Sequence, residues 1–245
     1  MNNNKQSDMT PAKRRQYILS LLQARKTVSV KELEKELFVN AATLRRDLNS
    51  LELTGMAKRT YGGAVLVEGL DTEIPLYARE SRNTDKKDRI CHLAAAYVRD
   101  GDTIMLDSSS TTARMIKFLA TKQNLKIITN GAKTAVLLTK LPGVTIYCTG
   151  GKMRENSLSY IGQSAIEYIK NFHADLVFFS CRGLSDRGLT DSSDEEALLR
   201  RAMLQHSKKS VLLLDSTKLH VDSFFYICGT EQIDHIICDD PAYCK

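Results

Sequence analysis

The chain has 245 residues, 42% hydrophobic and 26% charged, which suits one small and one medium globular domain and argues against a disordered or fibrous protein. Its 35 Lys and Arg outnumber 29 Asp and Glu, for a net charge of +6. The six cysteines form no C-x-x-C pair and no Cys/His ligand spacing, so the pattern favours neither a zinc module nor a disulfide framework, and we expect no metal and no cofactor.

Residues 12–25 predict an amphipathic helix, because Pro11 suits a first turn and apolar residues recur with helical spacing. The members of this apolar stripe are Tyr17, Ile18, Leu21 and Leu22. A second, shorter helix is predicted after Ser29, which forms a capping box with Glu32 three residues later. Only three residues separate this second helix from the next helical pattern.

The third predicted helix, residues 41–53, has two different faces. Leu44, Leu48 and Leu51 share one apolar stripe, and Asn40 is placed to cap the helix. The other side and its flank carry small, polar and cationic residues: Ala41, Ala42, Thr43, Arg45, Arg46 and Asn49. A short helix, a tight connection and a second helix with an arginine-bearing face form the helix-turn-helix pattern.

The segment MAKRTYGGAVLV predicts two short strands around a glycine turn, which completes a winged helix-turn-helix over residues 1–66. These 66 residues contain 12 basic and 6 acidic side chains, so the whole excess of positive charge lies here. Such an excess attracts the phosphates of double-stranded DNA, although it would also steer an acidic protein partner.

A recognition helix of this kind enters the major groove with its N-terminus first. Arg45 and Arg46 reach either guanine or phosphate, and the sequence does not distinguish these roles. Ala42 and Thr43 suit contact with a thymine methyl, whereas Asp47 falls nearer the buried stripe and is expected to orient an arginine or the neighbouring backbone. The remaining candidates for DNA contact are Ser29, Asn40, Ala41, Asn49, Lys58, Arg59 and Tyr61, although a solvated hairpin edge explains Lys58 alone equally well.

After a polar, broken segment taken as a linker (67–83), apolar runs alternate with helical stretches from residue 84 to 245. This alternation predicts a Rossmann-like α/β domain with a largely parallel sheet and helices on both faces. The predicted strands are 103–106, 125–129, 144–148, 175–180, 210–215 and 234–238. The predicted helices lie near 85–99, 111–121, 131–140, 160–170 and 191–206.

Five of these strands end in small, hydroxyl, amide or charged residues, and in parallel sheets the ligand binds at the carboxyl ends of the strands. The residues are Asp107, Ser108, Ser109, Ser110, Thr111 and Thr112; Thr129 and Asn130; Gly150, Gly151 and Lys152; Arg182 and Gly183; Asp215 and Lys218. Hydroxyl and N–H donors with cations suit an anion, and the two carboxylates suit sugar hydroxyls, so we expect a phosphorylated sugar. Taken singly, the serine-rich loop also fits a plain helix cap and the glycine pair a plain turn.

The stretch VNAATLRRDLNSLELTGMAKRTYGGAV resembles the DNA-binding motif of the DeoR family of bacterial transcription regulators. The matching residues are Val39, Thr43, Leu44, Arg45, Arg46, Asp47, Leu48, Leu51, Gly55, Arg59, Gly62, Gly63 and Ala64, with Asn40 in place of the usual serine. The second half is similar to the family's effector domain at DGDTIMLDSSSTT, Thr129-Asn130, Gly150-Gly151 and DSTK. Ser109 and Ser180 stand where that family has glycine.

The resemblance implies a repressor of carbohydrate-metabolism genes whose effector domain has the fold of ribose-5-phosphate isomerase and whose operator affinity a phosphorylated sugar changes. We expect a homo-oligomer, a dimer or a tetramer, because helix-turn-helix readers bind paired half-sites. With no signal peptide and no apolar run near the ~18 residues needed to span a membrane, we expect a cytoplasmic protein. The alternatives are an isomerase fused to a DNA reader, with Asp107, Asp191, Asp194 or Glu195 as general base, and a sensor that acts through protein partners.

Overall fold

The computed structural model describes residues 9–53, 56–66 and 74–245, and the motif residue Gly55 and linker residues 67–73 lie outside these ranges. The chain divides into two compact units, the first ending at Ser81 and the second beginning at Arg82. Each unit has its own hydrophobic core, and each is described by itself. In the described ranges, no helix is long and apolar enough to cross a membrane.

The first unit is a three-helix bundle with a small antiparallel sheet. Its elements are α1 (Pro11–Arg25), β1 (Thr27–Ser29), α2 (Val30–Leu37), α3 (Ala41–Leu53), β2 (Ala57–Thr60), β3 (Gly63–Leu66) and α4 (Leu76–Glu80). The winged helix-turn-helix is thereby confirmed, with β1 as a third strand that pairs with β3 and that the sequence pattern does not reveal. Helix α4 lies inside the segment taken as the linker, and its Leu76 and Ala78 are buried.

Local sequence explains where these helices begin. Thr10 caps α1, and Pro11 occupies its first turn. The Ser29–Glu32 capping box is present at the start of α2. The predicted apolar stripe of α3 forms the centre of the first unit's core, with Leu44, Leu48 and Leu51 at most 2% exposed. Packing of this stripe against α1 and α2 holds the opposite face of α3 toward solvent.

The second unit contains a six-stranded parallel sheet in the order β14-β12-β9-β4-β5-β6. Its strands are β4 (Thr103–Leu106), β5 (Lys126–Thr129), β6 (Thr145–Cys148), β9 (Ala174–Phe179), β12 (Ser207–Leu214) and β14 (His235–Cys238). Its helices are α5 (Thr84–Ala95), α6 (Thr112–Met115), α7 (Ala132–Leu138), α8 (Gln163–Ile169) and α9 (Asp194–Gln205). All six predicted strands are present and parallel, which confirms the α/β class.

Alternate residues of the central strands enter two separate cores, one on each face of the sheet. Val177 and Phe179 of β9 pack with α8 and α9, whereas Leu176 and Phe178 pack with α5. This double burial explains why these strands read as continuous apolar runs. Burial on both faces also leaves only the ends of the strands to carry polar chemistry.

Several predicted helices are longer than the observed ones. Residues 160–161 belong to strand β8 (Ser159–Ile161), which pairs with β7 (Lys152–Arg154), so the helix predicted from 160 begins at Gln163. The helix predicted from 191 begins at Asp194, because Ser193 caps it and β11 (Gly188–Asp191) precedes it. Strand β11 lies in a second small sheet between β10 (Gly183–Ser185) and β13 (Phe225–Cys228). Strands of three or four residues are too short to show a recognisable alternation of apolar and polar residues in the sequence.

Candidate functional site

Helix α3 presents a cationic face that the rest of the first unit leaves free. Asn40 accepts a hydrogen bond from the Thr43 backbone N–H at 2.9 Å, so it caps the helix as predicted. Arg45, Arg46 and Asn49 are exposed together with Ala42, whereas Ala41 and Thr43 are half-buried. The side chains of both arginines make no hydrogen bond or ion pair to any described residue. The face therefore carries two unpaired guanidinium groups on a rigid helix.

Asp47 lies on the inner side of α3 and is 3% exposed. Its carboxylate accepts from Arg14 Nε at 2.5 Å and lies 3.7 Å from a guanidinium nitrogen of Arg15. The acidic residue of the motif thus joins α3 to α1, which confirms that it orients arginines. Its negative charge is neutralised inside the unit and kept away from the cationic face.

The candidate DNA-binding residues of the wing differ in their exposure and in the hydrogen bonds that they make within the unit. Tyr61 is fully exposed at the turn and Lys58 is exposed on β2. Arg59 is half-buried and donates to the Arg45 carbonyl at 3.4 Å, while its backbone N–H donates to Glu52 at 2.7 Å. These bonds fasten the wing to α3, so Arg59 positions the wing relative to the recognition helix. Ser29 is half-buried, with its hydroxyl in the capping box of α2.

In the second unit, side-chain contacts connect the carboxyl ends of four neighbouring strands. The Ser180 N–H, after β9, donates to Asp107 Oδ2, after β4, at 3.2 Å. Lys218, after β12, donates to the Ser180 hydroxyl at 2.8 Å. Asn130, after β5, donates to the Ser108 hydroxyl at 3.4 Å. We call the residues at the ends of these four strands the carboxyl edge, namely 107–112, 129–130, 180–182 and 215–218. Most of the predicted effector residues belong to it.

The serine-rich loop 107–112 is almost entirely buried and bonds mainly to itself. Asp107 is 1% exposed and accepts from the Ser109 N–H at 3.0 Å and from Thr112 Oγ1 at 2.8 Å. Its second oxygen accepts from the Ser180 N–H and from Arg200 Nε at 2.9 Å. Both oxygens are therefore in use, and the geometry favours a role in holding the edge together over the expected contact with sugar hydroxyls.

Two serines replace family glycines here, and both hydroxyls bond internally. Ser109 accepts from the N–H of Thr112, the first residue of the short helix α6, at 3.1 Å. Ser180 donates to the Leu213 carbonyl at 2.7 Å and accepts from Lys218. Neither hydroxyl is left over to obstruct a ligand. Ser180 in addition fixes the position of a cation at the edge.

Arg200 of α9 is the principal edge residue that the sequence reading missed. It is 4% exposed and donates to Asp107, to Asp191 at 2.9 Å and to Glu196 at 3.3 Å. Burial alone would lower the pKa of Arg200, but the three carboxylates raise it, so the guanidinium stays charged. The sequence did contain a signal for a buried arginine. Arg200 lies four residues after Glu196 and on the same helix face as Ala197 and Met203, where a core-facing helix normally carries an apolar residue.

Lys87 of α5 was also missed. It is 4% exposed and donates to the Ser110 hydroxyl at 3.1 Å. Nearby on the same edge, Thr111 Oγ1 and Asn130 Oδ1 are buried and have no hydrogen-bond partner in the described chain. Buried polar atoms are normally satisfied, so these two atoms are candidates for a ligand or an ordered water.

Other predicted effector residues are placed differently. Lys152 pairs with Glu195 at 3.3 Å on the exposed surface, which assigns it to an ion pair. Gly151 has φ +111°, and a Cβ there would lie 2.9 Å from the Ile161 carbonyl, so this position is a tight turn, with Gly150 (φ +63°) beside it. A Cβ on Gly183 would lie 2.2 Å from the Val221 carbonyl, so Gly183 is set by chain packing. Asp215 is 1% exposed and accepts from Asn83 at 3.1 Å.

Cys181, which follows β9, is 4% exposed, and burial raises the pKa of its thiol to about 12. The thiol therefore stays protonated at neutral pH, and its contacts are those of a packed core residue.

The sequence matches two domain families, one in each unit of the chain. Residues 14–69 match the DeoR-like helix-turn-helix domain, and residues 82–240 match the DeoR C terminal sensor domain. The HTH-type transcriptional regulator GolR of Listeria innocua is 37% identical over 95% of this chain and 92% of its own length. The HTH-type transcriptional repressor GlcR of Bacillus subtilis is 31% identical over 93% of this chain and 89% of its own length.

Among solved structures, a D-ribose-5-phosphate isomerase in complex with phospho-erythronic acid aligns with a TM-score of 0.43. The alignment is 15% identical and covers 57% of this chain and 55% of that chain.

Proposed function

The chain belongs to the DeoR family of transcriptional regulators, and from this premise we propose that it represses carbohydrate-metabolism genes under the control of a phosphorylated sugar. Membership of the family makes it a DNA-binding regulator. The proposal adds the class of genes, the class of effector, the sign of regulation and the residues responsible.

The observation that carries the DNA-binding step is the pair of unpaired guanidinium groups on the exposed face of α3. A cation with no internal partner adds nothing to the fold, but it neutralises phosphate or donates in bidentate fashion to guanine O6 and N7. Ala42, near the N-terminus of the same face, lets the backbone approach the groove. Helix α3 thus enters the major groove, and the wing contacts the flanking backbone.

One such unit makes few base contacts, so operator binding requires two units on paired half-sites. We propose that the second unit supplies self-association, as a dimer or a tetramer. Sedimentation velocity at micromolar and nanomolar concentrations tests this step. A chain that stays monomeric while it binds the operator tightly would contradict it.

The effector step rests on the carboxyl edge. Polar ends of β4, β5, β9 and β12 are connected there, and Lys87 and Lys218 donate to hydroxyls of the edge. Arg182 follows β9, and Thr111 and Asn130 supply buried hydroxyl and amide groups. Hydroxyl and amide groups suit sugar hydroxyls, and cations suit a phosphoryl group. A ligand that binds this edge with different affinity in the free and in the operator-bound protein changes the affinity for the operator by thermodynamic linkage.

The same edge argues against the isomerase alternative. A general base must have an oxygen available to take a proton. Asp107 and Asp191 both bond to Arg200, Glu195 pairs with Lys152, and Asp194 accepts from the Glu195 N–H at 2.8 Å. Three of the four proposed bases, Asp107, Asp191 and Glu195, are thus engaged in ion pairs, and the related proteins carry names of regulators and repressors.

A two-part experiment tests the proposal. Fluorescence anisotropy with the chain's own promoter fragment measures operator affinity with and without each member of a panel of phosphorylated pentoses and hexoses, at fixed ionic strength. A thermal-shift screen runs in parallel, in which an effector at 100 times its dissociation constant stabilises the fold by about 2.7 kcal/mol. The effector proposal fails if no sugar phosphate changes either reading while the unphosphorylated sugars or other metabolites do.

A further inference from the structure

Arg82 and Arg182 are cations of the second unit whose charges repel each other, and neither pairs with a carboxylate among the described residues. Arg82 precedes α5 and Arg182 follows β9. Both are half-buried, and the Arg82 Nε atom is buried without a hydrogen-bond partner in the described part of the chain. No carboxylate among the described residues pairs with either guanidinium.

Both arginines lie at the carboxyl edge. Asn83, next to Arg82, donates to Asp215 and to Thr217 at 3.1 Å, which places Arg82 beside the end of β12. Arg182 is two residues from Ser180 at the end of β9, and β9 and β12 are adjacent strands. Arg82 thus lies next in the chain to a residue bonded at the end of β12, and Arg182 follows the end of the adjacent strand β9, as Ser180 of the Lys218–Ser180 contact does.

The electrostatics of the pair are unfavourable without a ligand. Burial lowers the pKa of Arg82, and the positive charge of Arg182 lowers it further. Other half-buried cations of this unit have partners: Arg114 pairs with Asp88 at 2.5 Å and Lys86 with Asp239 at 2.9 Å, while Arg201 donates to backbone carbonyls. Two close guanidinium groups without a carboxylate are the arrangement by which proteins bind a doubly charged anion.

Building on the proposed function, we propose that Arg82 and Arg182 together form the subsite for a phosphoryl group of the effector. Their planar forks donate to separate phosphoryl oxygens, and the dianion relieves the repulsion between them. Lys218 takes a secondary part, because Asp215 lies 4.0 Å away and already offsets its charge. The subsite connects the start of α5 to the end of β9, so an occupied site constrains both segments.

The test uses the full chain with inorganic phosphate as the probe, followed by thermal shift and by ³¹P line broadening at constant ionic strength. Wild type is expected to show saturable phosphate binding. Arg82→Gln and Arg182→Gln are each expected to weaken it by about tenfold or more, as loss of a charged hydrogen-bonding group predicts. The matched control is Arg99→Gln, which removes an exposed cation from the segment before β4 and is expected to bind phosphate like wild type.

Stability without phosphate separates a binding role from a structural one. Removing either arginine relieves like-charge repulsion, so both variants are expected to melt at or above the wild-type temperature in phosphate-free buffer. A variant that melts lower before phosphate is added would show that the arginine holds the fold, and the inference would be overturned. Arg82→Lys, which keeps the charge without the fork, is expected to recover part of the binding.

The inference and the function on which it rests fail in different ways. If both glutamine variants bind phosphate like wild type, or if wild type shows no saturable binding, the subsite is wrong whatever the operator assay shows. If phosphate binding depends on both arginines but no phosphorylated sugar alters operator affinity, the subsite stands and the proposed effector class falls.

Discussion

Arg46 on α3 and Arg200 on α9 are both helical arginines, but their surroundings are opposite. Arg46 is exposed and its guanidinium has no partner in the described chain, whereas Arg200 is 4% exposed and contacts three carboxylates. Residues 1–66, which include α3, hold the chain's whole excess of positive charge, and residues 67–245 carry 23 basic and 23 acidic side chains. A free cation on a rigid face is available to another molecule, whereas a saturated one holds its own fold together.

The buried case predicts the largest effect. Arg200→Met leaves Asp107, Asp191 and Glu196 without their counter-charge, and breaking a buried ion pair in this way costs about 3–5 kcal/mol. Urea unfolding of the full chain is expected to show this loss in the second unit. Arg89→Met, an exposed arginine on α5, serves as the control and is expected to change stability little. A small change for Arg200→Met would mean that water or rearrangement compensates the carboxylates.

The exposed case predicts loss of affinity without loss of stability. Arg45→Ala and Arg46→Ala are each expected to cost about 1–3 kcal/mol of operator binding if the side chain reads a base. A phosphate contact is expected to weaken all sequences alike and to reduce the slope of affinity against salt by about 1. Anisotropy titrations on the operator and on a scrambled duplex at three salt concentrations distinguish these roles. Arg89→Ala is the charge-matched control in the second unit, and melting curves should be unchanged for all three variants.

Asn40 is intermediate between the exposed and the buried arginine, because its side chain stabilises the helix that carries the exposed arginines. Its side chain caps α3 at 2.9 Å, and Asn40→Ala is expected to destabilise the first unit by about 1 kcal/mol. Asn40→Ser keeps a capping oxygen and is expected to restore stability. If serine restores the fold but leaves operator affinity low, Asn40 contacts DNA as well. If alanine changes neither property, the cap is irrelevant to both.

The sequence predicted a feature correctly where its residue pattern is compatible with only one arrangement in the fold. The stripe of Leu44, Leu48 and Leu51 has only one side of α3 on which to be buried, so the position of Arg46 followed. Strands apolar on both faces, such as β9, fit only the interior of a parallel sheet, so the edge at which their polar ends meet followed as well.

What the sequence did not show depended on distant partners. Asp107 was expected to bind a ligand, and no local pattern indicated that Arg200, 93 residues away, donates to it. Arg82 lay in a segment taken as linker, and nothing local shows that the charge of Arg182 acts on it. Burial and pairing of charged side chains are properties of the assembled edge, so short patterns did not reveal them. The residue-level assignments of the effector site therefore stay predictions.

The smallest predicted effect comes from a case between the two extremes, an ion cluster that is paired but near the surface. Arg114 and Lys117 hold Asp88, whose side chain is 30% exposed, and hydrogen bonds from Arg114 lower the pKa of Asp88 to about 2. A depressed pKa stabilises the fold above the unfolded value near 4, and that contribution disappears as the pH falls toward 2. Screening by solvent keeps it to about 1 kcal/mol or less.

Asp88→Asn is thus expected to lower stability at pH 7 and to match wild type near pH 2–3, measured as a difference in denaturation midpoints. Asp186→Asn, which removes an exposed carboxylate with no ion pair to any described residue, should show no such convergence. A constant deficit for Asp88→Asn across this pH range would mean that its contribution comes from packing rather than charge.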